Sequence, residues 1–135
     1  MSCNAPRPRA PEPVRHRSVL VVEDSEFLGA FLLELVSSFP AVAFSRLVAT
    51  VAQARHALSR FTPDVVLLDL HLPEGGGLPF LRELKKTLPE SVVVALSSDL
   101  RPESRRECLA AGASAVLDKS ADLPPLADVL ERLLS

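Results

Sequence analysis

The chain of 135 residues contains no tryptophan and no tyrosine, a single methionine, two cysteines and five glycines. Without Trp or Tyr there is little to stack against single-stranded nucleic acid, and six Phe are all that remains for it. Cys3 and Cys108 lie far apart in sequence, so neither a zinc-ligand pair nor a redox motif is written here, and both are expected as free thiols in a reducing compartment. No apolar stretch approaches the roughly eighteen residues that a membrane span needs, and the N-terminus has no apolar signal-peptide segment. These lacks predict a soluble, cytoplasmic protein with no membrane contact. A chain of this length buries about two-thirds of the surface its unfolded form exposes, enough for one domain without disulfide or metal staples.

Net charge is also small, at −2, but it is unevenly placed. Residues 1–17 hold Arg7, Arg9, Arg15 and Arg17 against Glu12 alone, a net of +3 that leaves −5 for the remainder. Pro6, Pro8, Pro11 and Pro13 bar a helix there and little apolar surface is available to bury, so 1–17 reads as a disordered extension. The competing reading is a basic arm for an acidic partner or nucleic acid. Direct DNA binding is not expected. Residues 18–135 read as the domain.

What the chain does have is short apolar runs alternating with stretches of helical period, the pattern of βα units building a parallel sheet. The strands are predicted at Val19 to Val22, Val42 to Val48, the run opened by Pro63-Asp64, Val92 to Leu96, and Ala115 to Leu117. Helices are predicted over Glu26 to Phe39, Val51 to Phe61, Leu78 to Leu88, Arg101 to Ala111 and Pro124 to Leu134. Asp24 or Ser25 is a natural N-cap for the first, and Pro40 its stop. Phe27, Ala30, Phe31, Leu33, Leu35 and Val36 supply that helix with a broad apolar face. Cys108 reads as helix packing, His16 and His56 as exposed, and Gly75, Gly76 and Gly77 as a flexible loop without a P-loop lysine.

Three of the apolar runs end abruptly in charge: Val22 into Glu23-Asp24, Leu68 into Asp69, and Leu117 through Asp118 into Lys119. A fourth ends in Ser97-Ser98. In an open parallel sheet ligands bind outside the carboxyl ends of the strands, and carboxylates gathered there repel one another unless a cation sits among them. A small group of carboxylates with room for water suits Mg²⁺, a hard cation with oxygen ligands. A lysine and a hydroxyl beside it are the parts that neutralise phosphoryl oxygens. Asp24 alone reads first as a helix cap; with Glu23, Asp69 and Lys119 in register the metal-site reading takes precedence.

Val-Glu-Asp at 22–24, Leu-Asp-Leu-His-Leu-Pro at 68–73 with Gly77 four residues on, Leu-Ser-Ser at 96–98, and Gly-Ala-Ser through Lys119 together resemble the receiver domain of two-component response regulators. The likeness spans about residues 18–134 and is nearest to the single-domain, chemotaxis-regulator type. It implies a flavodoxin-like, doubly wound α/β fold: a five-stranded parallel sheet of order 2-1-3-4-5 between layers of helices, five in all. It also implies that Asp69 is the phosphoacceptor, taking its phosphoryl group from a sensor histidine kinase or a phosphotransfer protein. Glu23, Asp24, Asp69 and the His71 backbone carbonyl would hold Mg²⁺, and Ser97 and Lys119 would hold the phosphoryl oxygens. The output would be protein–protein contact with a downstream target, a relay or sink role, or a homodimer. On this reading the protein is no enzyme beyond its own phosphorylation and dephosphorylation.

Two positions depart from the family pattern. Val116 stands where the family usually places an aromatic switch residue, and Ser120 stands where it commonly has proline, so the Lys119–Ser120 peptide is expected to be trans. His71 and Asp99 are expected to border the path of attacking water. Two alternatives are a phosphorylation-independent interaction module of the same fold and a Mg-dependent phosphatase with an aspartate nucleophile; the latter typically needs a second aspartate where His71 stands.

Overall fold

The computed structural model describes residues 16–99, 101–119 and 123–134. Most of the predicted tail, Cys3 and the Lys119–Ser120 peptide therefore lie outside the described residues. Five strands alternate with five helices: β1 Arg17–Val22, α1 Glu26–Ser37, β2 Val42–Val48, α2 Val51–Leu58, β3 Val65–Asp69, α3 Gly77–Thr87, β4 Val92–Ser97, α4 Pro102–Ala110, β5 Ala115–Asp118 and α5 Leu123–Leu134. All strand pairings are parallel, in the order β2-β1-β3-β4-β5. β1 begins two residues before the predicted Val19, with Arg17 already paired to Val42.

Because side chains alternate along a strand, each strand feeds two cores. Leu20, Val22, Val66, Leu68, Val93, Ala95 and Val116 pack on one face with α2, α3 and α4, where Phe80, Leu81, Leu84 and Cys108 meet them. Val19, Val21, Val65, Leu67, Val94 and Leu96 pack on the other face with α1 and α5, through Leu32, Val36, Leu126, Leu130 and Leu134. β3 is buried along its whole length, as its unbroken apolar run requires of a strand covered on both faces. Burying each such Leu or Val contributes roughly 1.5–3 kcal/mol.

The inward face of α1 differs from the one predicted. Gly29, Leu32 and Val36 are buried, whereas Phe27 is 87% exposed, Phe31 is 41% exposed and Ala30 also faces solvent. Gly29 is the cause: a Cβ there would stand 3.0 Å from Leu47 Cδ1, so the glycine lets α1 settle on β2, and that rotation turns the two Phe outward. Ser25 caps the helix by accepting from the Leu28 N–H, while Asp24 does not. The helix stops at Ser37 rather than Phe39, and α2 stops at Leu58 rather than Phe61.

Gly77 also departs from the expected flexible loop. It is the first residue of α3, and a Cβ there would run into the Leu70 carbonyl, so the β3–α3 connection closes tightly beside Asp69.

Candidate functional site

The chain runs from β1 outward to β2 and then returns across β1 to β3, so the direction of winding reverses between β1 and β3. Glu23, Asp24 and Asp69 stand at the carboxyl ends of those two strands, where the crevice of a doubly wound sheet lies. One oxygen from each of the three lies within 4.8 Å of the others. Glu23 is 2% exposed and Asp69 fully buried, whereas Asp24 is exposed.

Lys119, just past β5, reaches over this group. Its Nζ is 3.0 Å from Asp69 Oδ2, and 3.4 Å and 3.5 Å from Glu23 Oε1 and Oε2. The bond to Asp69 is a good charge-assisted hydrogen bond; the contact to Glu23 is marginal. Glu23 Oε2 also accepts from the Ser25 N–H at 3.0 Å, but buried Oε1, beyond its 3.4 Å ion-pair contact to Lys119, has no hydrogen-bond partner among the described residues. A buried, orphaned carboxylate oxygen beside two more carboxylates is a donor set that fits a hard cation.

The two buried acids titrate in opposite directions. Burial pushes Glu23 up to about 7, with the neighbouring Asp69 charge adding to it and the Ser25 N–H and Lys119 opposing it. Burial also penalises charge on Asp69, but the His71 N–H at 2.8 Å and the Lys119 ammonium outweigh it and hold that carboxyl below its usual value. Lys119 is likewise costly to bury, yet Asp69 and Glu23 raise its pKa above the ordinary lysine value. Asp69 is therefore an ionised carboxylate backed by a fixed positive charge.

Ser97 ends β4 beside Asp69, whose strand neighbour is Leu96, and its carbonyl accepts from the Lys119 N–H at 3.2 Å. Its side chain is 3% exposed and does not join the carboxylates. Its Oγ instead lies 2.8 Å from His71 Nε2 and accepts from the Asp99 N–H at 2.9 Å. Asp99 is tied in turn: its carboxylate accepts from the Arg101 side chain at 2.8 and 3.0 Å and from Ser104 Oγ at 2.7 Å. Arg101 first, then Ser104, holds Asp99 well below the usual carboxylate range.

The residues singled out in the sequence thus gather at one end of the sheet, with the Ser97 hydroxyl bonded to His71 rather than to the carboxylates. The Arg101 and Ser104 ties to Asp99 were not foreseen. An acidic residue shortly before a proline-led helix was the available signal, since such a residue often serves the first turn. His16 and His56 are exposed and Cys108 is a buried free thiol, as expected. Between α4 and the sheet lies a cleft of about 120 Å³ lined by Leu70, Leu78, Cys108 and Val116, with His71 and Ser97 at its rim.

Residues 19–131 match the family described as the response regulator receiver domain. The chain belongs to that family. A Treponema denticola protein-glutamate methylesterase/protein-glutamine glutaminase is 33% identical over 123 residues, covering 86% of this chain and 33% of that protein. The chain therefore spans about a third of the length of that curated relative. Among solved structures, the receiver domain of a DNA-binding response regulator from Colwellia psychrerythraea 34H superposes with a TM-score of 0.79 at 23% identity, covering 87% of this receiver and 97% of that chain. The Mn²⁺-bound form of response regulator Rcp1 superposes with a TM-score of 0.70 at 22% identity, covering 87% and 91%. The flavodoxin-like architecture and strand order expected from the sequence are those of the receiver fold.

Proposed function

We propose that this receiver accepts a phosphoryl group on Asp69 from the phosphohistidine of a histidine kinase or phosphotransfer protein, in a Mg²⁺-dependent reaction. The observation that carries this reading is the Lys119 ammonium 3.0 Å from Asp69 Oδ2, with Glu23 and Asp24 within reach on the other side. An Asp69 oxygen attacks phosphorus, the O–P bond forms, the P–N bond to the donor imidazole breaks, and the imidazole leaves with the electron pair and takes up one proton from solvent. Asp69 needs no general base, because its lowered pKa keeps it ionised near neutral pH.

Glu23, Asp24, Asp69 and the His71 carbonyl are the groups that would hold Mg²⁺, and the ion when bound supplies positive charge that offsets the approach of two anions. Lys119 holds a phosphoryl oxygen, and the Ser97 hydroxyl is the second donor once it leaves His71. The readout is protein–protein contact, with relay or sink behaviour as variants of it; the chemistry is limited to the phosphorylation and dephosphorylation of Asp69.

Incubation with phosphoramidate and Mg²⁺, followed by intact-protein mass measurement, tests the reading. A gain of one phosphoryl group that Asp69→Asn abolishes supports it. No gain under saturating donor favours a phosphorylation-independent interaction module, and sustained turnover of phosphate esters favours the phosphatase.

A further inference from the structure

His71 is exposed, yet its ring reaches the buried Ser97 and places Nε2 2.8 Å from Oγ. Resting on the phosphoacceptor reading above, we propose that His71 is a positioning residue that latches the Ser97 hydroxyl out of use and sets how fast Asp69 is phosphorylated.

A hydroxyl has one proton to donate and two lone pairs to accept with. At Ser97 one lone pair is taken by the Asp99 N–H at 2.9 Å. If the imidazole donates from Nε2, the serine proton turns to the Asp99 carbonyl at 3.3 Å; if Nε2 is bare, the serine proton goes to the ring. In both tautomers the proton that a phosphoryl oxygen would need is committed elsewhere. Ser97 is 3% exposed, so little of its surface is open to bulk water.

Moving the Ser97 oxygen toward the developing charge on the phosphoryl oxygens breaks its contact with His71 in either tautomer, whichever of the two supplies the proton. The stabilisation that a preorganised donor gives such a transition state is reduced by the strength of the bond it must leave. One ordinary hydrogen bond carries a factor of about five in an equilibrium or rate. The neighbouring Asp99 is itself fixed by Arg101 and Ser104, so the loop does not follow His71; the ring is the movable partner. Its exposed position gives it solvent to swing into.

The test is the rate of phosphoryl uptake from phosphoramidate and Mg²⁺ in the full chain, for wild type, His71→Ala, His71→Gln and each change combined with Ser97→Ala. Glutamine carries an amide nitrogen at about the reach of imidazole Nε2 and re-forms the bond. We expect His71→Ala to take up phosphoryl about fivefold faster and His71→Gln to stay within twofold of wild type. In the Ser97→Ala background, slow for its own reason, removing His71 is expected to change nothing further. A merely structural role for His71 gives no rescue by glutamine and no dependence on Ser97. The latch is overturned if His71→Ala is no faster than wild type, if glutamine behaves as alanine does, or if the acceleration survives without Ser97. Uptake that depends on Asp69 but ignores His71 removes the latch alone; no uptake by wild type removes the phosphoacceptor reading and the latch together.

Discussion

Lys119 Nζ and Asp69 Oδ2 lie 3.0 Å apart across the carboxyl end of the sheet, joining the loop after β5 to the end of β3. Asp69 is fully buried and the Lys119 side chain is 21% exposed; Asp69 is the main compensation for Lys119 leaving water, and the His71 N–H together with Lys119 compensates Asp69. Removing one partner strands the other. Lys119→Met is expected to destabilise the metal-free protein by about 3 kcal/mol, read as a lower urea midpoint at unchanged slope. Asp69→Asn, which also lessens repulsion with Glu23, is expected to cost less than Lys119→Met.

Glu23 gives the metal-free protein a pH dependence of definite sign. Its carboxyl is raised from 4.5 to about 7 in the folded state, so between those values the folded chain keeps a proton that the unfolded chain has released. Stability from this group is therefore greatest below pH 4.5 and falls as pH rises through the window, by on the order of 2 kcal/mol. Urea titrations at pH 5 and pH 7.5 are expected to show this decline in wild type relative to Glu23→Gln, and Mg²⁺ at pH 7.5 is expected to restore wild type but not the variant.

Val116 is buried at 5% exposure against the cleft of about 120 Å³ beneath Ser97. A ring placed there by Val116→Phe meets space rather than packed atoms. The variant is expected to stay within about 1 kcal/mol of wild type in thermal unfolding, whereas overpacking a filled core costs roughly 1–3 kcal/mol.

The rotation of α1 is open to a direct comparison. Phe27→Ser, at a side chain 87% exposed, is expected to change stability by under about 0.5 kcal/mol, while Leu32→Ala, fully buried on the opposite face, is expected to cost about 2–5 kcal/mol. Equal costs would mean that Phe27 is packed.

These contrasts mark what the residue string could and could not carry. The carboxylates at the ends of β1 and β3 were legible because an apolar run that stops at an acid has only a site or a cap to serve, and three runs ending in charge agreed with a fourth ending in Ser97. Strand order and the two-faced burial of β3 followed from the family pattern and an unbroken Val-Val-Leu-Leu run. The face of α1 was not legible, because Phe27, Leu28, Ala30, Phe31, Leu32 and Leu35 surround the helix with apolar choices. What decides between them is Gly29 against Leu47, a contact between α1 and β2 that local periodicity does not contain. Ser97 was placed correctly at its strand end, but its partner was not. The bond to His71 joins the loop after β3 to the last residue of β4, 26 residues on, and exists only once β3 and β4 are paired.

The most direct measurement of the central claim is chemical mapping of the phosphorylated residue. After incubation with phosphoramidate and Mg²⁺, borohydride reduces an aspartyl phosphate to homoserine, which peptide mass analysis then locates. The account predicts homoserine at position 69 when Mg²⁺ is present and none when it is chelated. Homoserine at Asp24, a phosphoryl group retained on His71 instead, or uptake indifferent to Mg²⁺ would contradict it.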